Sequence, residues 1–268
     1  MEGKQAMIPV LLTATVNPNG MQGANFSVEE RAQMYVEAVR FYANQSVNGQ
    51  PLRVVFAENS DALESVKNAF ADNDSIEWVD VSGPEYNQSR GKGFNETILI
   101  KKAIEKSVFI REAGCFFKVT GRLKVLNIVR LLKECSEPRL EFKADCKDHR
   151  VYEWLRMPIN GHSGECRYWF ATSGFFIQTM WKYQERLNDY GEQMFLAEDA
   201  MLAVCRETRG QKGCKDRFRT QARISGRGGH DLGKGLSFFY STDNDSFALK
   251  LKCFVRQLLR WLLPFWKC

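Results

Sequence analysis

The sequence lacks the patterns that identify several common classes of protein. None of its eight cysteines forms a Cys-x-x-Cys pair, which argues against a zinc ribbon. No stretch reaches the roughly 20 uninterrupted apolar residues of a membrane-spanning helix. There is no internal repeat and no low-complexity segment. What remains, at 268 residues, is a chain long enough for a substantial core, built as one large domain or two small ones.

The N-terminal residues also lack a targeting pattern. Residues 1–5 lead straight into a strand-like run, without the basic segment and the long apolar segment of a signal peptide. We therefore expect a cytoplasmic protein whose cysteines are mostly reduced.

The charge is neither extreme nor concentrated. The net charge is +6, and 44% hydrophobic with 26% charged residues is a globular composition. This balance permits an anionic partner. Nucleic acid is disfavoured, because the basic residues are spread along the chain and only the C-terminal tail carries one sign of charge.

Apolar runs with β-branched residues alternate with helical patterns through the first half of the chain. The predicted strands are 8–15, 52–57, 76–81 and 115–119. A capping box at residues 27–30 and a polar cap at Asp61 begin two helices, and 95–106 forms a third. This order predicts an α/β fold with a mostly parallel, Rossmann-like sheet flanked by helices.

The stretch from 89 to 122 carries the main ligand signal. It contains a basic turn, residues 89–93, directly before the third helix, and a strand with a cationic end; the residues concerned are Arg90, Gly91, Lys92, Gly93, Lys118, Thr120, Gly121 and Arg122. Free N–H groups at a helix start, together with fixed cations, suit a diphosphate. The ordinary alternative for such a turn is a solvated loop. Two other strands also end in polar residues, and converging strand ends favour a ligand site; these residues are Thr15, Asn17, Glu58 and Asn59.

The C-terminal segment, 246–268, differs from the rest. It carries five cations and no acidic residue among many leucines and aromatics. Such a basic amphipathic helix is typical of proteins that lie on an anionic membrane surface. The alternative is a terminal helix packed on the domain or on a partner subunit.

Taken in order, these features resemble the GT-A glycosyltransferases, in particular the bacterial enzymes that build surface polysaccharides such as lipopolysaccharide. The resemblance covers most of residues 8–231. It implies that the first two strand ends, with Thr15, Asn17, Glu58 and Asn59, hold the nucleotide of a nucleotide sugar. It also implies that the basic turn approaches the diphosphate, and that His230, after a glycine loop, contacts the metal or the diphosphate.

The chain departs from this family at the end of the fourth strand. The family carries Asp-x-Asp there and binds a divalent metal, whereas this chain has Thr120, Gly121 and Arg122. We expect Lys118 and Arg122 to supply the counter-charge instead, so no metal cofactor is favoured. If Mg²⁺ or Mn²⁺ is used, Asp145 and Asp148 are the candidate ligands.

An acidic pair at a predicted helix start, Glu198 and Asp199, matches the family's catalytic position. In inverting members the aspartate is the general base that deprotonates the acceptor hydroxyl. We therefore expect Asp199 to be the base, with Glu198 as its substitute. The alternative is that both acids only complement the helix dipole.

The resemblance implies an inverting, hexosyltransferase-like enzyme at the inner membrane surface. Its donor is a nucleotide sugar and its acceptor a hydroxyl of a glycan or lipid-linked glycan. We expect a transferase domain at 1–245, divided into a nucleotide-sugar half (1–122) and an acceptor half (123–245), and a membrane-associating tail at 246–268. The alternatives are a nucleotidyltransferase on a similar fold and a non-catalytic module that binds membranes or anions.

Overall fold

The computed structural model describes residues 7–21, 26–156, 158, 160–226 and 247–262. Its strands are β1 Val10–Ala14, β2 Ser46–Val47, β3 Gln50–Pro51, β4 Val54–Glu58, β5 Ile76–Asp80, β6 Cys115–Thr120, β7 Lys124–Val125, β8 Phe142–Lys143, β9 Cys146–Asp148, β10 His162–Gly164, β11 Tyr168–Thr172, β12 Cys214–Lys215 and β13 Ile224–Ser225. Its helices are α1 Val28–Ala43, α2 Glu64–Lys67, α3 Lys92–Lys106, α4 Val108–Ala113, α5 Ile128–Cys135, α6 Val151–Trp154, α7 Ser173–Phe175, α8 Ala197–Glu207 and α9 Phe247–Leu262.

Seven strands form one central sheet in the order β12-β8-β11-β6-β1-β4-β5. Strands β5, β4, β1 and β6 run parallel, β11 runs antiparallel to both of its neighbours, and β8 and β12 are parallel to each other. The chain moves outward from β1 to β4 and β5, then returns to β6 on the other side of β1. The boundary between β1 and β6 is therefore a topological switch point, where α/β sheets commonly bind ligands.

Alternating side chains of the central strands supply two cores. On one face Val10, Leu12 and Ala14 of β1 pack in a cluster with buried residues of α1 and α5. On the other face Leu11 packs in a cluster with buried residues of α3 and α8. Because successive strand residues point to opposite faces, a single apolar strand can supply both layers.

The predicted α/β fold with a mostly parallel sheet is confirmed. The four predicted strands correspond to β1, β4, β5 and β6, and the helix after the basic turn is α3. Strands β8, β11 and β12 come from the second half of the chain and complete the same sheet.

Some segments are less regular than a helix or strand pattern suggests. The helix predicted after Asp61 is one short turn, α2, and residues 176–186 form a π-helical turn followed by a 3₁₀ turn. Of the basic run 217–224, only Ile224 belongs to a strand. These segments depend on packing against neighbours more than on their own periodicity.

One pair of cysteines is an exception to the expected, mostly reduced state. Cys146 of β9 and Cys205 of α8 form a disulfide, while Cys115, Cys135, Cys166 and Cys214 are free in the described part of the chain. Strand β9 and helix α8 pack together in the core, so two cysteines 59 residues apart come into contact.

The helix predicted in the tail is present as α9. Polar side chains of α9 bind the rest of the protein. Arg260 donates from its two terminal nitrogens to the two carboxylate oxygens of Asp145, each at 3.0 Å. The side-chain amide of Gln257 accepts from the Gln221 N–H and donates to the Arg219 carbonyl, both at 2.9 Å. Among the described residues, no helix has both the length and the apolar character needed to cross a bilayer.

Helix α8 lies so close to β10 that a glycine is required between them. A Cβ placed on Gly164 would lie 2.5 Å from Met201 Cβ and 2.8 Å from the Leu202 nitrogen. We therefore expect Gly164→Ala to lower the free energy of unfolding by about 1–3 kcal/mol through overpacking, measured by chemical denaturation. Gly174→Ala is the matched control, because nothing lies within 4 Å of its added Cβ. Equal stability of the two variants would contradict this packing.

Candidate functional site

The polar ends of β1, β4 and β6 meet at the switch point. The Thr15 hydroxyl donates to the Asn59 amide oxygen at 2.7 Å, and the Asn17 N–H donates to the Ser60 hydroxyl at 2.8 Å. The Gly121 N–H donates to the Thr13 carbonyl at 2.9 Å. The structure thus brings the predicted strand-end residues together at one edge of the sheet.

Glu58 is fully buried at this edge and bonded on both oxygens. Its carboxylate accepts from the N–H groups of Val16 at 3.0 Å, Ser60 at 2.9 Å and Ala62 at 3.1 Å, and from the Ser60 hydroxyl. These bonds join the loops after β1 and β4. Glu58 therefore shapes the loops after β1 and β4, and both of its oxygens already have partners.

Lys118 is fully buried and its ammonium group has three partners. It pairs with Glu96 of α3 at 2.8 Å and donates to the Cys166 carbonyl at 2.7 Å and the Thr120 hydroxyl at 3.2 Å. The same Glu96 oxygen accepts from the Thr13 hydroxyl at 2.6 Å. An ammonium has three N–H donors, so Lys118 is engaged within the protein.

The basic turn is held against the loop that follows the 3₁₀ segment. Arg90 donates to the Leu187 carbonyl at 2.8 and 3.0 Å and to the Glu185 carbonyl at 2.5 Å. The Lys92 N–H, the first of helix α3, donates to the Asp189 carboxylate at 2.6 Å. A carboxylate of the chain itself therefore lies at the helix start where the sequence predicts a diphosphate.

Three cations lie close together beside this helix start. The pKa of Lys92 is lowered to about 8, first by burial and then by the positive charges of Arg122 and Arg31, against the opposing effects of Asp189 and Glu198. Arg31 is itself bonded to the Thr15 and Val16 carbonyls through its Nε, at 3.0 and 3.1 Å. Like charges brought together in this way favour the binding of an anion.

The two acids at the start of α8 have different surroundings. The Asp199 carboxylate accepts from the Leu196 N–H at 2.9 Å and so caps its own helix. Glu198 keeps much of its surface exposed, but neighbouring protein groups remove part of the water around its carboxyl, and this is the largest cause of its raised pKa. The carboxylates of Asp189, Glu165 and Glu96 raise the pKa further, against a backbone hydrogen bond that lowers it. A carboxyl with a raised pKa in a cleft is a candidate general base.

An apolar recess lies between α3 and α8, next to these acids. Its free volume is about 470 Å³, including space open to solvent. Glu96 and Cys166 line it together with aromatic and aliphatic side chains, among them Trp169, Phe176 and Met201. The recess is mostly apolar, and Glu96 is the acidic residue of its wall.

The two candidate metal ligands are bonded to arginines. Asp145 accepts from Arg260, from the Phe218 N–H at 2.9 Å and from the Tyr168 hydroxyl at 2.5 Å. Asp148 pairs with Arg206 at 2.8 Å and with Arg209 at 2.5 Å, and these partners hold its pKa well below its usual range. Neither carboxylate fits a metal site in this arrangement. In the described ranges no group of three or more His, Cys, Asp or Glu is placed to hold a metal ion. His230 lies outside the described residues.

Three residues of this region were missed by sequence reasoning: Arg31, Glu96 and Asp189. Each acts on a partner far along the chain, such as Thr13 for Glu96 and Lys92 for Asp189. Only Glu96 carried a usable signal, since it follows the basic turn closely and falls on the helix face that α3 turns toward the sheet.

Comparisons with known proteins find likenesses of fold. No family model and no curated protein sequence matches this chain. Among solved structures, an apo WbbM bifunctional glycosyltransferase is 10% identical with a TM-score of 0.46, over 74% of this chain and 37% of that one. Apo mouse xyloside xylosyltransferase 1 is 11% identical with a TM-score of 0.44, over 79% of this chain and 84% of that one.

This chain therefore spans little more than a third of the length of WbbM. Identities and TM-scores this low leave the chemistry of this chain to be argued from its own residues.

We expect Glu58→Ala to destabilise the fold. It leaves buried N–H groups without a partner, at a cost of roughly 1–3 kcal/mol for each donor, so the unfolding free energy measured in urea should fall by at least about 2 kcal/mol. Glu64→Ala is the control, because the exposed Glu64–Lys67 pair contributes little. A Glu58→Ala protein of normal stability that no longer binds nucleotide would instead make Glu58 a direct ligand contact.

We expect nucleoside diphosphate binding to weaken as the pH rises through about 8, because Lys92 then loses its charge. Isothermal titration calorimetry with UDP between pH 6.5 and 9.5 measures this. Lys92→Gln should bind more weakly at pH 7 and lose the alkaline decrease that wild type shows. Lys67→Gln, which removes an exposed lysine of α2, should follow wild type. Identical pH profiles for wild type and Lys92→Gln would exclude Lys92 from the site.

Proposed function

We propose that this protein is a glycosyltransferase that moves a sugar from a nucleotide-sugar donor to a hydroxyl of a glycan acceptor. One observation carries the proposal. Around the start of α3, the Lys92 ammonium lies within electrostatic reach of both Arg122 and Glu198, a carboxyl whose pKa is raised. A leaving group that gains negative charge and an acceptor that must lose a proton require this pair of features.

The donor's phosphates bind the side chains of Lys92 and Arg122. Lys118 was expected to share this role, but its three N–H donors already bond Glu96, Thr120 and Cys166. It contributes indirectly, by fixing the end of β6 from which the chain continues to Arg122. The nucleotide lies over the loops after β1 and β4, which Glu58 joins.

Glu198 is the group best placed to act as general base. Asp199, which the resemblance favours as the base, already accepts from the N–H of Leu196, the N-cap of α8, with one carboxylate oxygen. Glu198 removes the proton of the acceptor hydroxyl while the hydroxyl oxygen of the acceptor attacks the anomeric carbon of the donor sugar. The bond from that carbon to the diphosphate breaks, the nucleoside diphosphate leaves with its electron pair, and Lys92 and Arg122 stabilise its charge. A single displacement of this kind inverts the anomeric configuration. No step is assigned to a metal.

The experiment is a panel of nucleotide sugars, with release of nucleoside diphosphate as the measurement, in the presence and absence of EDTA. We expect turnover with at least one donor and unchanged turnover in EDTA. Glu198→Gln should lower kcat by about 100-fold or more, because an amide cannot accept the proton. Asp199→Asn, which keeps an oxygen for the Leu196 N–H, should retain most activity.

Each result can contradict part of this proposal. If no donor binds or turns over, the transferase function is excluded. If Asp199→Asn abolishes activity while Glu198→Gln does not, the base is Asp199. If EDTA abolishes turnover, a metal supplies the counter-charge.

We further propose that the acceptor is lipid-linked, as in surface-polysaccharide assembly, and that α9 rests on the inner membrane surface. The polar side chains Gln257 and Arg260 face the body of the protein. The large apolar side chains of α9 are exposed, and they recur at helical spacing: Phe247, Leu251, Phe254, Val255, Leu258, Trp261 and Leu262. An outward apolar stripe in a segment with five cations and no acid suits a bilayer that contains anionic lipid.

Flotation with phosphatidylglycerol-containing vesicles tests this surface. The double variant Phe254→Ser/Trp261→Ser removes two side chains that are 65% and 73% exposed and leaves Gln257 and Arg260 in place. Each buried aromatic contributes roughly 1.5–3 kcal/mol, so binding should fall by about 100-fold or more. Trp154→Ser is the matched control, since Trp154 is 82% exposed on α6. Undiminished binding of the double variant would exclude α9 as the membrane contact. The apolar stripe would then be covered by another segment of the chain or by a partner protein.

A further inference from the structure

Asp189 and the basic turn hold each other by two reciprocal backbone contacts. The Asp189 carboxylate accepts from the Lys92 N–H at 2.6 Å, and the Asp189 N–H donates to the Arg90 carbonyl at 3.1 Å. Arg90 adds its bonds to the Leu187 and Glu185 carbonyls, just before Asp189. The turn and the loop are therefore fixed as one unit.

The contact requires a glycine in the turn. Gly91 has φ +87°, and a Cβ added to it would lie 2.4 Å from Asp189 Cβ and Cγ. Only glycine combines this backbone conformation with so close an approach. The carboxylate thus occupies a place that the turn is shaped to receive.

Asp189 also faces the Lys92 side chain together with charged groups from three other elements. Arg31 of α1 and Arg122 after β6 disfavour the ammonium ion, whereas Asp189 and Glu198 of α8 favour it. Of the two favourable charges, only Asp189 is also bonded to the Lys92 backbone. Asp189 therefore holds the Lys92 backbone at the start of α3 and also favours the charged form of the Lys92 side chain.

We propose that Asp189 is a positioning residue for donor binding, which holds the basic turn in place and sets a negative charge near the Lys92 side chain, so that Lys92 can bind the diphosphate. This inference rests on the proposed function, which gives Lys92 its ligand. Asp189 already occupies the first N–H of α3, so the proposal assigns the donor's phosphates to the side chains of Lys92 and Arg122.

The test uses the full-length protein and two variants. Asp189→Asn keeps an oxygen that can accept from the Lys92 N–H but removes the charge, whereas Asp189→Glu keeps the charge. The first measurement needs no ligand: the pH dependence of Lys92 labelling by dinitrofluorobenzene, followed by mass spectrometry. The second is UDP binding by calorimetry at pH 8. Glu207→Gln is the control, since Glu207 is an exposed acid paired with Lys182.

We expect the labelling midpoint of Lys92, about 8 in wild type, to fall in Asp189→Asn and to stay near wild type in Asp189→Glu and Glu207→Gln. Removing a favourable negative charge lowers the pKa of an ammonium, so Asp189→Asn should bind UDP about tenfold more weakly at pH 8. Thermal melting of each variant separates this effect from unfolding.

Two results would overturn the inference. A labelling midpoint unchanged in Asp189→Asn, or shifted equally in Asp189→Glu, would show that the charge of Asp189 does not act on Lys92. Tighter UDP binding by Asp189→Asn would show that Asp189 competes with the diphosphate. If wild type binds no nucleoside diphosphate at all, the proposed function fails, and the labelling midpoints still decide whether Asp189 controls Lys92.

Discussion

An ion pair between the buried Lys118 and the half-buried Glu96 fixes the centre of the candidate site. Lys118 lies on β6, Glu96 lies on α3, and the same Glu96 oxygen accepts from Thr13 on β1. An ammonium ion that loses its partner inside a protein destabilises the fold strongly. The pair therefore constrains the two strands at the switch point and the helix above them. The basic turn begins that helix and Arg122 follows β6, so the position of the cationic groups depends on this pair.

Local signals explain which parts of the fold were predictable. Strands β1, β4, β5 and β6 are short apolar runs, and α1 begins with a capping box in which Ser27 and Glu30 bond each other's backbone N–H groups. Such patterns are complete within a few residues of sequence. The antiparallel insertion of β11 between β6 and β8 was not predictable, because periodicity indicates a strand but not its neighbours or direction.

The candidate site was predictable as a region and not as a set of roles. The strand ends and the basic turn do converge, but Glu58 and Lys118 are engaged inside the protein. The adjacent acids of α8 show the reason. With Leu196 as the N-cap, Asp199 occupies the third helical position, from which a side chain can reach back to the N-cap N–H, whereas Glu198 cannot. The sequence distinguishes these two acids only if the first residue of the helix is already known.

The contact between Arg260 and Asp145 makes the tail a part of the fold. Asp145 also accepts from Tyr168 on β11 and from the Phe218 N–H, so a chain shortened before α9 would leave this half-enclosed carboxylate without its counter-ion. Shortening the chain would then weaken the domain as well as remove its apolar stripe. The tail therefore has two different faces: Arg260 binds the domain through Asp145, and the apolar side chains of the stripe stay exposed.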